Sequence, residues 1–167
     1  MGLLDRLRAR KLAQEEVVLP ADPVGYAAAE KAVERAERAV LQGQAAGRTD
    51  LGPEIAALAD ARAVLTGQPV EVFTVRCLAA ERYEELVEDH PPTDPQRKQG
   101  WLWNVDSFRP ALLAAAVSTA EGEPDLAELD WRQLARDGNL AVGELDLLFY
   151  TAVQLNTRQP QVSTGKG

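Results

Sequence analysis

Residues 141–156 read AVGELDLLFYTAVQLN, and this stretch decides the fold of the chain. Its apolar residues recur at the spacing of a helix and share one wide face. They are Leu145, Leu148, Phe149, Ala152 and Leu155. A face of this width has to be covered by other elements, so the stretch predicts the main helix of a helical core.

Shorter helices are predicted before this one. Residues 79–89 form a helix with an apolar stripe, and Pro91 and Pro92 end it. The stripe consists of Tyr83, Leu86, Val87 and His90. Residues 93–99 are predicted as a polar loop, and a brief helix at 130–135 is expected to bury Trp131 and Leu134.

A further helix is predicted over residues 108–117. Asp106 or Ser107 can cap its start, because short polar side chains accept hydrogen bonds from the first free N–H groups. Pro110 is tolerated because it falls in the first turn of this helix.

Residues 70–78, VEVFTVRCL, are rich in β-branched side chains and partly alternate apolar with polar residues, which predicts a strand. A single strand cannot satisfy its own backbone groups, so it needs a partner. Residues 102–105, residues 17–19 and another copy of the chain are the three candidates.

The first half of the chain carries two helical seams, at residues 25–46 and 53–66. The first seam consists of Ala29, Val33, Ala36 and Val40, and the second of Ile55, Leu58, Ala61 and Leu65. Because a short polar turn joins the two helices, they are expected to pack as an antiparallel αα-hairpin.

The predicted fold class is mainly α, with an N-terminal αα-hairpin followed by a small helical domain that has one short β-strand or hairpin. Four segments are expected: residues 1–23 as an N-terminal helix and linker, 24–68 as the hairpin, 69–156 as the helical core domain, and 157–167 as a disordered tail. The N-terminal helix carries a stripe of Leu3, Leu4, Leu7 and Leu12. It is expected to dock loosely rather than to anchor in a membrane.

The charge of the chain disfavours two classes of partner. Eighteen basic residues oppose 26 acidic ones and give a net charge of −8, which repels both a phosphate backbone and an anionic membrane. No apolar run approaches the roughly 20 residues that span a bilayer, and the start does not read as a signal peptide. Cys77 and His90 are the only cysteine and histidine, so neither a metal site nor a cofactor is expected.

The residues that could support catalysis have simpler explanations. His90 ends a helix, where capping or packing is expected. Cys77 lies among apolar neighbours without a basic partner. The acidic pairs at 84–85 and 88–89 are expected to be solvated, and residues 164–167, TGKG, lack the strand and helix that a phosphate loop needs. No catalytic residue is assigned, and the chain is not expected to be an enzyme.

Trp101 and Trp103 flank Leu102 and point to opposite sides if the backbone is extended. Two interpretations are open. Both tryptophans cover the small core, or they supply an aromatic hot spot for binding.

Several landmarks follow one another in order over about half of the chain. They are FTVRCL at 73–78, Tyr83, Leu86, His90 with the two prolines, Gly100, Asn104, FRPALL at 108–113, Ala115, Trp131, and the helix from Gly143 to Asn156. In this order and spacing the chain resembles the tail assembly chaperones of long-tailed bacteriophages, particularly those of actinobacterial phages and prophages.

The resemblance implies a mostly helical, non-enzymatic late protein that binds the tape measure protein and promotes assembly of the tail tube around it. It also implies contact with the major tail tube protein through a longer form made by programmed frameshifting, for which codons at 164–166 could provide a slippery site. The implied location is the host cell cytoplasm, with absence from the mature virion. Self-association is a further alternative.

The candidate contact residues are apolar groups in excess of what so small a core needs. They are Tyr83, Leu86, His90, Trp101, Trp103, Phe108 and Phe149. The alternative function is a structural head-to-tail connector or another minor virion component. An enzyme or a host regulatory adaptor would need a pocket with convergent polar groups, for which the sequence offers no residues.

Overall fold

The computed structural model describes residues 2–121 and 123–158, which are mostly helical and include a small antiparallel sheet. The elements are α1 (Leu3–Arg8), β1 (Gln14–Pro20), α2 (Pro23–Ala45), α3 (Gly52–Thr66), β2 (Val70–Arg76), α4 (Ala80–Asp89), α5 (Asp94–Lys98), α6 (Val105–Ala116), β3 (Val117–Ser118), α7 (Glu128–Asp137) and α8 (Val142–Thr157). The predicted fold class is confirmed. Of the predicted tail, residues 159–167, with the TGKG motif, lie outside the described residues.

The chain divides into two compact units. One is built from the residues up to Val17 and from Val72 onward, and the other is Val18–Glu71. The second unit contains α2 and α3, and the first contains the helices from α4 to α8.

The helices α2 and α3 form the predicted αα-hairpin. Asp22 caps α2, because its Oδ1 accepts hydrogen bonds from the N–H groups of Val24 and Gly25 at 3.2 and 3.0 Å. In α2 the predicted seam faces inward, with Ala29 buried and the other three residues half-buried. Ile55 of α3 was predicted to point inward, but it is 56% exposed.

Leu51 packs against α2 at Gly43. A Cβ atom at Gly43 would lie only 2.4 Å from Leu51 Cδ2, so the absence of a side chain at Gly43 makes room for this leucine. At the start of α3, Leu51 and Glu54 are half-buried and Ile55 is exposed. The periodicity of α3 alone could not predict the packing of Leu51, because this residue lies outside the helix.

Charged side chains close the hairpin. Arg48 in the turn contacts the Glu54 carboxylate and donates to the backbone oxygen of Asp50 at 3.1 Å. Hydrogen bonding from Arg48 lowers the pKa of Glu54 below its usual value of 4.5. Farther along, Arg62 of α3 pairs with Glu37 of α2 at 2.8 Å.

The sheet has the strand order β1-β2-β3, so the predicted strand is central. Of the candidates for its partner, the segment at 17–19 is the one that pairs, as part of β1. The Cys77 N–H donates to Ala13 O at 2.8 Å, and the Ala21 N–H donates to Pro69 O at 3.0 Å. On the other side β3 is antiparallel to β2, with Val75 opposite Val117. The strand ends at Arg76 rather than at residue 78.

The core of the first unit lies around α6 and α8. Its largest fully buried side chains are Val75, Phe108, Leu112, Leu113, Val117, Trp131, Leu148 and Phe149, each at most 1% exposed. The predicted core face of α8 is confirmed, since Leu145, Leu148, Phe149 and Ala152 are buried and Leu155 is half-buried.

The start of α6 differs from the prediction. Asn104 caps the helix, with Oδ1 accepting from the Asp106 N–H at 3.2 Å, so neither Asp106 nor Ser107 is the cap. The helix therefore begins earlier than expected, and Pro110 lies inside it rather than in the first turn. Proline leaves the carbonyl group four residues earlier without a helical donor. That group belongs to Asp106, which is exposed, so water can satisfy it.

The segment 93–99 was predicted as a loop but contains the short helix α5. Thr93 and Gln96 form a capping box: the Thr93 N–H donates to Gln96 Oε1 at 2.9 Å, and the Gln96 N–H donates to Thr93 Oγ1 at 3.5 Å. The sequence TDPQ is the signal that would have predicted it, since a capping threonine is followed by a proline in the first turn.

The N-terminal helix α1 is not docked as expected. It ends at Arg8, and none of its residues is buried. The predicted apolar stripe consists of Leu3, Leu4, Leu7 and Leu12, each more than half exposed, and Leu12 lies beyond the end of the helix.

Candidate protein-binding surface

An aromatic cluster brings together most of the candidate contact residues. Phe108 of α6 lies at its centre, with ring centroids 4.8 Å from Trp103, 6.1 Å from Tyr83 and Phe149, and 6.2 Å from His90. Two of these four pairs, Phe108 with Tyr83 and Phe108 with Phe149, meet edge to face, an arrangement that aromatic rings favour. The cluster joins the end of α4 to α6 and α8.

Three of the candidates belong to the core. Phe108 and Phe149 are 0% exposed, and Leu86 is 5% exposed. Their side chains cannot reach a partner while the fold is intact, so they are corrected from contact residues to core residues. Sequence periodicity placed them on apolar faces, but it could not show that these faces meet one another.

Tyr83, His90 and Trp103 form a half-buried layer around this core. The Tyr83 hydroxyl and the Trp103 Nε1 are buried without a hydrogen-bond partner among the described residues. Burial raises the pKa of the Tyr83 phenol, because the anion would lose its hydration. The packing of His90 against Phe108 agrees with the packing role predicted for it.

Trp101 behaves differently from Trp103. Gly100 takes a positive φ of 84°, a conformation that suits glycine, and turns the chain after α5. Beyond it Trp101 is 39% exposed and Leu102 is 70% exposed, while the Trp101 Nε1 donates to Gln99 Oε1 at 3.3 Å. Trp103 thus covers the core, and Trp101 presents apolar surface to solvent.

The outer face of α8 carries apolar residues that sequence reasoning missed. Leu147 and Tyr150 are 49% and 46% exposed and lie three residues apart, so they share a face. The Tyr150 ring centroid lies 5.2 Å from that of Phe149. The spacing was visible in the sequence, but the broader core face of the same helix obscured it. We refer to Trp101, Leu102, Leu147 and Tyr150 as the exposed apolar set.

Two of the asparagines named above as sequence landmarks, Asn104 and Asn156, hold the scaffold. Asn104 caps α6, and its N–H donates to His90 O at 2.8 Å. Asn156 accepts from the Leu78 N–H at 2.8 Å and donates to Ala152 O at 2.8 Å. Asn104 and Asn156 therefore fix the ends of the segments that they join.

Within residues 2–121 and 123–158, no helix combines the length and the apolar character needed to cross a membrane. In the same part of the chain, no group of three or more histidine, cysteine, aspartate or glutamate side chains is arranged to hold a metal ion. A comparison of the chain with protein-family models, with curated proteins and with solved structures finds no match in any of the three.

Proposed function

We propose that this protein is a non-enzymatic tail assembly chaperone of a long-tailed bacteriophage that binds the tape measure protein. The single structural observation that supports it is the exposed apolar set. These four large side chains stand in water on a unit whose core is already filled by Phe108, Phe149 and their neighbours.

The energetics of such a surface favour a partner. Covering apolar surface gains roughly 25 cal/mol for each Å² removed from water, so several large exposed groups together can hold an elongated client. Aromatic residues at a surface are also frequent centres of binding energy. A helical client fits this chemistry, because apolar residues at intervals of three and four can meet Leu147 and Tyr150, which have the same spacing.

The remaining features of the proposal follow the resemblance. The chaperone acts in the host cell cytoplasm and is absent from the mature virion. It promotes tail tube assembly around the tape measure protein, and a longer frameshifted form contacts the major tail tube protein.

Co-expression with a tape measure protein from the genome that encodes this chain tests the proposal. We expect the client to become soluble and to copurify with the chain. Replacing Leu147 and Tyr150 together by serine should abolish copurification, whereas Val24→Ser, at an 80% exposed residue of the other unit, should not. An insoluble client without a recoverable complex, despite a folded wild-type chain, would refute the proposal.

A structural head-to-tail connector is the alternative, and purified particles distinguish the two functions. Mass spectrometry of complete virions should detect a connector and should miss a chaperone. Finding this chain in virions at a stoichiometry comparable to that of known structural components would therefore support the alternative.

A further inference from the structure

Residues 2–16 are all exposed, although this segment carries four large apolar side chains. It contains α1, the link to β1 and the first residues of β1. The apolar side chains are Leu3, Leu4, Leu7 and Leu12, each more than half exposed. Because the protein itself leaves these leucines uncovered, they can bind an apolar partner outside the chain.

The same segment is basic, in contrast to the chain as a whole. Residues 5–11, DRLRARK, contain four basic residues and one acidic residue, whereas the rest of the chain contains 14 basic and 25 acidic residues. Arg8, Arg10 and Lys11 are exposed and make no ion pair with any described residue. Their charges are therefore free to attract an anionic partner.

The leucines and the charges of α1 occupy different sides of the helix. Successive residues of an α-helix are turned by about 100°, so the three leucines of α1 share one face. By the same geometry, Arg6 and Arg8 lie at the two margins of this face. Asp5 lies on the far side, where its Oδ2 accepts a hydrogen bond from the Gly2 N–H at 2.9 Å.

This arrangement is typical of a helix that lies in the surface of an anionic membrane. The leucines would enter the boundary of the acyl chains, and the long basic side chains at the margins would extend to the lipid phosphates. Asp5 would face water. Because α1 has only about two turns, it offers little area to a rigid protein groove, whereas a fluid lipid surface adapts to a short helix.

We propose that residues 3–12 bind reversibly to the surface of an anionic phospholipid membrane. The net charge of the chain, which disfavours such a membrane, averages over this basic segment. Glu15 and Glu16, which follow it in β1, and the acidic remainder of the chain oppose the binding and keep it weak and sensitive to salt. The segment is distinct from the exposed apolar set, and the inference does not depend on the phage assignment.

Cosedimentation of the full chain with lipid vesicles tests the inference. Vesicles that contain equal amounts of phosphatidylglycerol and phosphatidylcholine should bind the chain at low ionic strength, and vesicles of phosphatidylcholine alone should not. Added salt should release the chain, because it screens the charges on both surfaces. Failure to cosediment with the anionic vesicles would overturn the inference, and so would equal binding to both kinds of vesicle.

A pair of leucine variants tests the apolar contact. Leu4→Ser combined with Leu7→Ser should weaken binding to the anionic vesicles about tenfold or more, because two apolar side chains no longer enter the membrane. Val24→Ser combined with Leu41→Ser is the matched control, since it removes two apolar side chains of α2 that are 80% and 63% exposed. Equal weakening by both pairs would overturn the inference.

A pair of charge variants tests the electrostatic contact. Arg8→Gln combined with Lys11→Gln should weaken binding about fivefold for each charge removed. Arg35→Gln combined with Arg38→Gln changes the net charge equally at exposed residues of α2 and should leave binding unchanged. Equal weakening by both pairs would reduce the interaction to general electrostatics and overturn the inference.

Size-exclusion chromatography without vesicles distinguishes a second copy of the chain as the occupant. A monomer, or a dimer that persists in Leu4→Ser/Leu7→Ser, would support the membrane as the partner of this segment. A dimer that dissociates in this variant would overturn the inference in favour of the second copy. The experiments use no phage component, so their failure leaves the proposed function standing.

Discussion

Asn104 and Asn156 show how single side chains fix this scaffold. Each uses its short amide to satisfy a backbone N–H group near a helix end, and each links two separate parts of the chain. A buried or half-buried N–H group without an acceptor is unfavourable, so these contacts define where the segments end.

Asn156→Ala should lower the free energy of unfolding by about 1–2 kcal/mol, because the Leu78 N–H would lose its acceptor. Urea unfolding followed by tryptophan fluorescence measures this change. Gln154→Ala, at an exposed residue of the same helix, is the control and should stay within about 0.5 kcal/mol of the wild type. Equal effects of both substitutions would contradict the role assigned to Asn156.

Tyr83→Phe should raise the free energy of unfolding at neutral pH by about 1 kcal/mol, because it removes a buried hydroxyl without a partner. The pH dependence has a definite sign. The folded state raises the pKa of Tyr83 above 10.0, so above that pH the unfolded chain loses the proton first, and the wild type loses stability as pH rises.

Urea unfolding of the wild type and of Tyr83→Phe should be measured at pH 7 and above pH 10.0. The difference between their free energies of unfolding should be larger at the higher pH. A variant that is less stable than wild type at neutral pH would mean that the hydroxyl has an acceptor in solution. A difference in the free energy of unfolding that does not change with pH would contradict the raised pKa of Tyr83.

At the scale of elements, the hairpin of α2 and α3 depends on a narrow seam. Within these two helices only Ala29 and Gly43 are buried, and the rest of the contact is between half-buried residues. Ion pairs such as Arg62 with Glu37 are solvent-exposed and contribute at most about 1 kcal/mol each. The stability of the hairpin therefore rests mainly on its small apolar side chains.

Leu58→Ala should destabilise the hairpin by about 1 kcal/mol, because Leu58 is half-buried in the seam. Ile55→Ala should be neutral or slightly stabilising, since Ile55 is 56% exposed and alanine has the higher helix propensity. Hydrogen exchange of the amides of α2 and α3 measures both effects locally. Faster exchange in Ile55→Ala than in Leu58→Ala would contradict the observed face of α3.

The elements that were predicted correctly carry local signals. The periodicity of α2, α4 and α8 and the β-branched run of β2 fix their type within a short window of sequence. The strand β1 was only one of three candidate partners, because its pairing with β2 joins residues that are far apart in the chain. The local sequence alone does not predict such a strand, because its formation depends on a partner that is distant in the chain.

The candidate site was predicted less well than the fold. Sequence reasoning recognised Phe108 and Phe149 as large apolar residues, but burial depends on which faces meet, and these two rings pack on each other. Leu147 and Tyr150 were missed because α8 also carries a core face. Only Trp101 combines a place among the candidate residues with substantial exposure.

At the scale of the whole molecule, the two units differ in composition as well as in fold. Trp101, Trp103 and Trp131 all lie in the first unit, whereas Val18–Glu71 contains no tryptophan. Most of the fully buried apolar side chains also lie in the first unit. The two units therefore have different expected stabilities and different spectroscopic signals.

Unfolding by urea should accordingly give transitions that do not coincide. Circular dichroism, which reports all helices, should begin to change at lower urea than tryptophan fluorescence, which reports only the first unit. The early phase reflects loss of the hairpin. Superimposable curves from the two probes would show that the units unfold as one cooperative structure.

The hydrogen bond from the Ala21 N–H to Pro69 O brings the two ends of residues 22–68 together at the end of a pair of antiparallel strands. In topological terms the αα-hairpin is an insertion into a β-hairpin that would otherwise close with a tight turn. We expect that replacing the insertion by a short turn keeps β1 and β2 in register. Comparing the shortened chain with the full chain would show what each part contributes to binding and stability. The turn of the shortened chain is also a site where sequences of other lengths can be inserted.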